Sequence, residues 1–304
     1  MNIVFSTDLN YLPHMGVALT SILINAGSTD KLHFYILENE LPEEEKEKIL
    51  SLRTIRSFDL SFIRMDDIND LMFLCANSGN IPPYITPASF FRLKIGSLLP
   101  DIDRAIYLDC DLIVRSSLRG LWDLPLEGMT VGAAEDFGSA ISSEKIRYDL
   151  KRYFNSGVIL FDLKQWRSKD YEREIPGLEK HVFEQIRYGD QSLLNIVLKE
   201  DVRYIDTRWN FMPFLLRYES RYSEQLMISS LDPWIVHFAA GYKPWIFDSN
   251  PVMFSEEYWN YRKMGPWKSY DTMKRVREIF RHTVRHPRDT IIYGCKKVIG
   301  GFPR

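Results

Sequence analysis

The stretch Arg104-Ala105-Ile106-Tyr107-Leu108-Asp109-Cys110-Asp111-Leu112-Ile113-Val114 constrains this chain more than any other. Apolar residues of strand type deliver two carboxylates one residue apart, and the chain then turns apolar again. On a strand, side chains at i and i+2 share a face, so Asp109 and Asp111 can be aimed at one place. Carboxylates in so apolar a setting are costly unless they meet a cation. A divalent metal meets that need, because hard oxygen ligands suit Mg²⁺ and Mn²⁺. The motif is short, however. Taken alone it reads more readily as a strand end where two Asp side chains cap the chain or face water.

The remaining apolar runs give this stretch its context. Strands are expected at Ile3–Ser6, Leu32–Leu37, Leu60–Ile63, Val131–Asp136, Val158–Phe161 after a small polar turn at Asn155-Ser156-Gly157, Val202–Ile205 and Trp234–Phe238. Val17, Leu19, Ile22 and Leu23 fall at helical spacing up to Asn25, and a second helix is expected from about Pro87 to Leu98. Strand, polar turn and helix in succession describe a doubly wound α/β sheet, in which ligands sit at the carboxyl ends of strands. No GxGxxG follows the first strand, which removes the dinucleotide fingerprint. Asp8 and Asn10 in the first turn are either helix caps or contacts to a base and ribose. Asn77–Tyr84 reads as a surface loop able to cover a site. Polar groups gather at strand ends: Asp8, Asp109 and Asp111, Asp136, the Asn155 turn and His237. Binding residues of an α/β sheet collect there, whereas purely structural ones need not.

Composition narrows the function classes. With 45% hydrophobic residues the chain is a packed globular protein. Cys75, Cys110 and Cys295 form no CxxC pair, which argues against a disulfide framework or zinc site and suits a reducing, cytoplasmic setting. The first residues lack a basic n-region, and no apolar run approaches the roughly 18–20 residues needed to span a bilayer. Net charge is −2, yet from Arg262 onward twelve Lys or Arg face three acids, a balance of +9 that leaves −11 for the rest. Nucleic acid is not an expected partner of that acidic body.

Six segments stand in the order found in family 8 of the retaining glycosyltransferases, which includes glycogenin and bacterial lipopolysaccharide galactosyl- and glucosyltransferases. They are Ile3 through Tyr11, Phe91-Arg92-Leu93, Tyr107 through Asp111, Phe154 through Val158, Asp190 through Asn195, and His237-Phe238 through Lys243-Pro244-Trp245. Over about residues 1–250 the chain resembles that family. The resemblance implies a GT-A fold, a nucleotide-sugar-binding α/β domain with a mostly parallel mixed central sheet. Residues 251–304 would be a small basic, aromatic, helical appendage. It implies a UDP-hexose donor (galactose or glucose), a glycan or glycolipid acceptor, and Mn²⁺, with Mg²⁺ as the alternative, held by Asp109, Asp111 and His237. Two carboxylates with an imidazole also favour Mn²⁺ on chemical grounds.

By the same resemblance, Thr7, Asp8 and Asn10 contact uridine and ribose and Lys243 the diphosphate. Ile85, Cys110, Ser156 and Ala240 complete the donor-binding set. Arg92, Asp136, Asn155 and Asp190 hold the donor sugar, and Gln191 lies below its anomeric carbon, so Asp136, Asp190 and Gln191 are the candidate catalytic residues. Two departures stand out. Ser192 occupies a position where some relatives carry Asp, and Ala240 one where relatives usually carry Gly. Gln191 is a poor nucleophile, so double displacement through a carboxylate is disfavoured against front-face substitution. The aromatic and basic segment after Pro251 suits either an anionic membrane surface or packing against the acidic body. Two other readings compete. One is a nucleotide-sugar binder without catalysis. The other is an aspartyl phosphatase, disfavoured because its Asp-x-Asp follows the first strand and continues into Gly-Thr, not Leu112-Ile113.

Overall fold

Ile3, Val4 and Phe5 are fully buried in β1 (Asn2–Thr7), as the apolar centre of a strand in a sheet covered on both faces should be. The computed structural model describes residues 1–65, 69, 86–138, 141–218, 224–246 and 252–268. After β1 come β2 (His33–Glu38), β3 (Asp59–Arg64), β4 (Arg104–Leu108), β5 (Leu112–Val114), β6 (Val131–Glu135), β7 (Phe154–Asp162), β8 (Val202–Tyr204) and β9 (Ile235–His237). The strands expected from the other apolar runs form within two residues of their expected ends, but β7 begins at Phe154, so the expected polar turn at Asn155-Ser156-Gly157 is part of the strand.

Seven of them make one sheet in the order β3-β2-β1-β4-β7-β6-β8. All run in one direction except β7, which is antiparallel to both β4 and β6. Ile3 faces Phe34 of β2 on one side and Ile106 of β4 on the other. The chain leaves β1 outward to β2 and β3, then crosses back to β4, so a crevice opens at the carboxyl ends of β1 and β4. Alternation within the strands feeds two cores. Val4, Tyr35 and Tyr107 pack with Phe91, Trp166 and Leu193 on one face. Ile3, Phe5 and Ile106 pack on the other with Leu12, Met15, Leu19 and Ile22 of α1 (Leu12–Asn25).

Three further local expectations are revised. Arg104–Val114 is not one strand: β4 ends at Leu108, and Leu112–Val114 pairs instead with β9 in a separate two-stranded sheet, Leu112 opposite His237. Asp109-Cys110-Asp111 is the bend between two sheets, so strand alternation is not what brings the carboxylates together. The helix expected over Pro87–Leu98 breaks into Pro87–Phe90, a 3₁₀ turn Phe91–Lys94 and Ile95–Leu98. Phe91, Arg92 and Leu93 are all buried in that turn, which carries the Arg92 guanidinium to Ser156 O at 2.7 Å. Finally, α1 begins five residues before Val17, with Pro13 in its first turn, where a missing N–H costs nothing.

The helix Ser255–Met264 lies against α1. Its buried Tyr258 places a hydroxyl 2.6 Å from His14 Nδ1. Trp267, just beyond, fills the space over Gly16, where a Cβ would come within 2.3 Å of the indole, and its Nε1 donates to Glu45 at 2.7 Å. Residues 269–304, which hold most of the basic tail, and the Asn77–Tyr84 loop lie outside the described residues. No helix among the described residues is long and apolar enough to cross a membrane.

Candidate active site

One cleft at the carboxyl edge of the sheet collects nearly all the polar strand ends. Thr7 ends β1, Asp109-Cys110-Asp111 follows β4, Asp136 follows β6, and His237 ends β9. Asn155 and Ser156 begin β7, and because that strand runs backwards its beginning shares the same edge. Asp190 and Gln191 stand in the first turn of the helix Gly189–Leu198. Arg92, Ala240 and Lys243 also line the cleft. Asp8 both lines the cleft and shapes the chain: its Oδ1 accepts from the Asn10 and Tyr11 N–H groups, each at 2.9 Å. Asn10 is exposed and outside the lining, and Ile85 lies outside the described residues. The Cys110 thiol donates to Ser6 O at 3.1 Å, and burial pushes its pKa up, so it is a neutral hydrogen-bond donor.

Among the described residues Asp109, Asp111 and His237 form a group whose ligand atoms lie within 4.8 Å of one another. His237 Nε2 is 3.2 Å from Asp111 Oδ1 and 3.7 Å from Asp109 Oδ2. The bend after β4 is held by Asp109 N–H on Gly157 O and Phe238 N–H on Asp111 O, both 2.8 Å, which fasten it to β7 and to the end of β9. Gly157 permits the approach, since a Cβ there would lie 2.2 Å from His237 Cε1 and 2.8 Å from Asp109 Oδ2. Lys243 Nζ binds Asp111 Oδ2 and donates to Phe238 O at 2.7 Å. Burial pushes the Asp111 carboxyl up, but Lys243 and His237 outweigh it and hold the group well below the usual carboxylate range. Two carboxylate oxygens and an imidazole nitrogen, converging beside a cleft, are a donor set that fits a divalent first-row metal.

Arg92 is 3% exposed and engages both halves of the site. Its guanidinium reaches Asp109 Oδ1 at 2.6 Å, Asp190 Oδ2 at 3.1 Å, and Ser156 O at 2.7 Å, and it stacks 4.3 Å over the Tyr107 ring. Gln191 Nε2 donates to Asp136 Oδ2 at 3.2 Å, and Gln191 Oε1 accepts from Asn155 Nδ2 at 3.0 Å.

A family model for glycosyl transferase family 8 matches residues 2–249, most of the chain and every one of these residues. The chain belongs to glycosyl transferase family 8. It is 28% identical to general stress protein A of Bacillus subtilis over 88% of this chain and 95% of that one. It is 26% identical to the lipopolysaccharide 1,2-glucosyltransferase of Escherichia coli, over 81% of this chain and 72% of that protein. A solved structure of galactosyltransferase LgtC with donor and acceptor sugar analogues is 28% identical and superposes with a TM-score of 0.76, covering 88% of this chain and 96% of LgtC. The α/β fold is therefore the GT-A fold, and the protein is a glycosyltransferase.

The family 8 chain carries its departure at Ala240 in the backbone. Ala240 adopts φ +57°, the left-handed region that glycine favours, while the neighbouring Gly241 does not. The loop thus has the conformation a glycine would give it, at the steric cost of a Cβ. Ala240→Gly is expected to raise unfolding stability by about 0.5–1 kcal/mol, the relief of strain being partly offset by a freer unfolded chain. Denaturant melts read this directly; a destabilised Gly variant would show that the loop is not strained.

Asp190 is the family 8 site carboxylate with the largest upward push. Burial raises its pKa to about 6; Arg92 pulls it down and Asp109 adds to the rise. Its folded value exceeds the unfolded value near ~4, so the folded state binds the proton more tightly. Stability should therefore fall as pH rises through about 4 to 6, and stay level above. Melting temperatures of wild type minus Asp190→Asn should decline across that window; a difference independent of pH would contradict the shift.

Asn210 is the residue that motif reasoning passes over. It sits in an aromatic loop with no spacing signal, yet it is 2% exposed and bonds both His237 and Asn155.

Proposed function

We propose that the protein is a retaining hexosyltransferase that moves galactose or glucose from a UDP-sugar to a glycan or glycolipid acceptor with Mn²⁺, or Mg²⁺ in its place. The observation that carries this is the convergence of Asp109, Asp111 and His237 beside Lys243 at the mouth of the β1–β4 crevice. The nitrogen in the ligand set favours Mn²⁺ over Mg²⁺ and Ca²⁺. When bound, the ion would act as a Lewis acid that neutralises charge on the departing diphosphate.

The chain's own groups divide the remaining work. Thr7 and Asp8 border the nucleoside end of the cleft, and the Lys243 ammonium supplies a fixed positive charge to the diphosphate. Asp136, Asn155 and Asp190 offer carboxylate and amide partners to sugar hydroxyls. Retention by double displacement needs a carboxylate free to attack the anomeric carbon. Asp190 is paired with Arg92, and Asp136 accepts from Gly138 N–H, Asn155 and Gln191. Gln191 is an amide. These commitments favour front-face substitution, in which the leaving phosphate helps deprotonate the acceptor. The lipopolysaccharide-modifying relative supports a cell-surface glycan or glycolipid as acceptor. The basic segment from Arg262 supports docking on anionic lipid at the inner membrane face, which sedimentation with anionic and neutral vesicles at low salt would test.

The deciding experiment is UDP release from a panel of UDP-sugars with acceptor glycans, with chelator and with added Mn²⁺. Turnover with UDP-galactose or UDP-glucose, lost to chelator, regained with Mn²⁺ and giving an α-linked product, is the expected result. Mn²⁺-dependent UDP binding without transfer would make the chain a binder. Full turnover in chelator would remove the metal.

A further inference from the structure

Asn210 lies in the 3₁₀ turn Thr207–Asn210, between the metal-ligand set and the donor-sugar side of the cleft. Its Oδ1 is 2.9 Å from His237 Nδ1, and its Nδ2 is 2.8 Å from Asn155 Oδ1. Asn155 Oδ1 also accepts from the Gly157 N–H at 3.0 Å, and Gln191 Oε1 accepts from the Ser156 N–H at 3.2 Å.

A backbone N–H can only donate, so these two bonds settle which way the Asn155 and Gln191 amides face. With an oxygen presented by Asn155, Asn210 must offer its NH₂ there. The Asn210 carbonyl oxygen then faces His237, and only an N–H can bond to it. Nδ1 therefore carries an N–H, which leaves Nε2 as the ring nitrogen that faces Asp109 and Asp111 and is open to a cation between them. From His237 the donors all run one way: His237 to Asn210, Asn210 to Asn155, Asn155 to Gln191, Gln191 to Asp136. Such a chain ends properly only on an acceptor, which the Asp136 carboxylate supplies. Aligned bonds of this kind polarise one another in a buried setting.

We infer that Asn210 is a positioning residue that holds His237 in its metal-ligating tautomer and ties that ring, through Asn155, to Gln191 and Asp136. The metal half of this rests on the function proposed above; the tautomer does not. Partners of this type orient metal-bound imidazoles and raise their basicity. Here the same group also reaches the sugar side, so the ion and the donor sugar are held by one hydrogen-bonded frame.

The test uses the full chain with ¹⁵N-labelled histidine and Mg²⁺ as a diamagnetic ion at the site, with His237 assigned through His237→Gln, and reads which ring nitrogen carries the proton. Wild type should show the Nδ1–H tautomer. Asn210→Ala should populate Nε2–H and weaken Mn²⁺ binding, read by electron paramagnetic resonance, by about 10–100-fold. Asn210→Asp restores the acceptor for His237 but offers no donor to Asn155. It should keep the tautomer and the Mn²⁺ affinity while lowering kcat. An Nε2–H wild-type ring, a tautomer indifferent to Asn210→Ala, or an Asp variant with wild-type kcat would overturn the inference. If the Ala variant fails to fold, the wild-type and Asp tautomers with the Asp kcat still decide it. An Nδ1–H ring in a chain with no Mn²⁺ affinity would instead sink the metal assignment and leave the relay standing.

Discussion

Asp111→Asn is expected to lower kcat/KM by at least about 10³-fold, several kcal/mol of charge stabilisation at the departing diphosphate. The substitution keeps the shape of the side chain, so packing around Leu112 and Phe238 is little disturbed. What it removes is the charge that faces His237 Nε2 at 3.2 Å and binds Lys243. Lys243 is 4% exposed and would then keep only Phe238 O among these two partners, so a lower melting temperature should accompany the kinetic loss. The two effects separate by titration. If the loss is one of metal affinity, raising Mn²⁺ recovers part of the rate without restoring stability. UDP release measured against Mn²⁺ concentration, with melting curves alongside, checks both. An Asn variant of wild-type activity would remove Asp111 from the ligand set.

Much of this site was legible in the sequence because an α/β sheet delivers function at strand ends. Asp109, Asp111, Asp136, Asn155 and His237 each follow or begin an apolar run, and a run of five or six buried residues specifies its own ends. What the runs do not carry is how the chain turns between them. Strand alternation puts the two carboxylates of Asp109-Cys110-Asp111 on one face, but they converge because the chain bends there from β4 into β5. That bend depends on Gly157 and on Phe238 N–H, both remote in sequence. Apolar spacing places Arg92 on a regular helix, whereas the chain there forms a 3₁₀ turn between two short helical pieces, which the spacing does not signal. Asn210 is not anticipated by the sequence, since its role arises where its 3₁₀ turn meets His237 of β9 and Asn155 of β7, and an aromatic loop gives no period to read. Ala240 shows the converse: the sequence marked the departure, and only the backbone angle showed that the loop keeps a glycine-like conformation.

The largest loss of stability is expected from Arg92→Ala, about 3–5 kcal/mol, because the buried Asp190 and the partly buried Asp109 are left without their cation. For a chain of this length that corresponds to a fall in melting temperature of roughly 5–8 °C. Arg92→Lys should recover only part of it. A single ammonium cannot reach Ser89 O, Ser156 O, Asp109 and Asp190 together, as the planar guanidinium does at 2.6–3.1 Å, and it loses the face of Tyr107. The decisive comparison adds Asp190→Asn to Arg92→Ala. In wild type Arg92 draws the Asp190 pKa down against its burial; without Arg92 the carboxyl rises further and its ionised form becomes a larger burden above that pKa. Neutralising Asp190 should therefore rescue part of the Arg92→Ala loss, a coupling of about 1–3 kcal/mol in a double-mutant cycle at pH 8. The rescue should fade towards pH 5, where Asp190 in the Ala background already carries a proton. Additive losses at pH 8 would mean that Arg92 serves Asp109 and Ser156 and owes nothing to Asp190, which would put the link between the metal side and the sugar side in Asn210 alone.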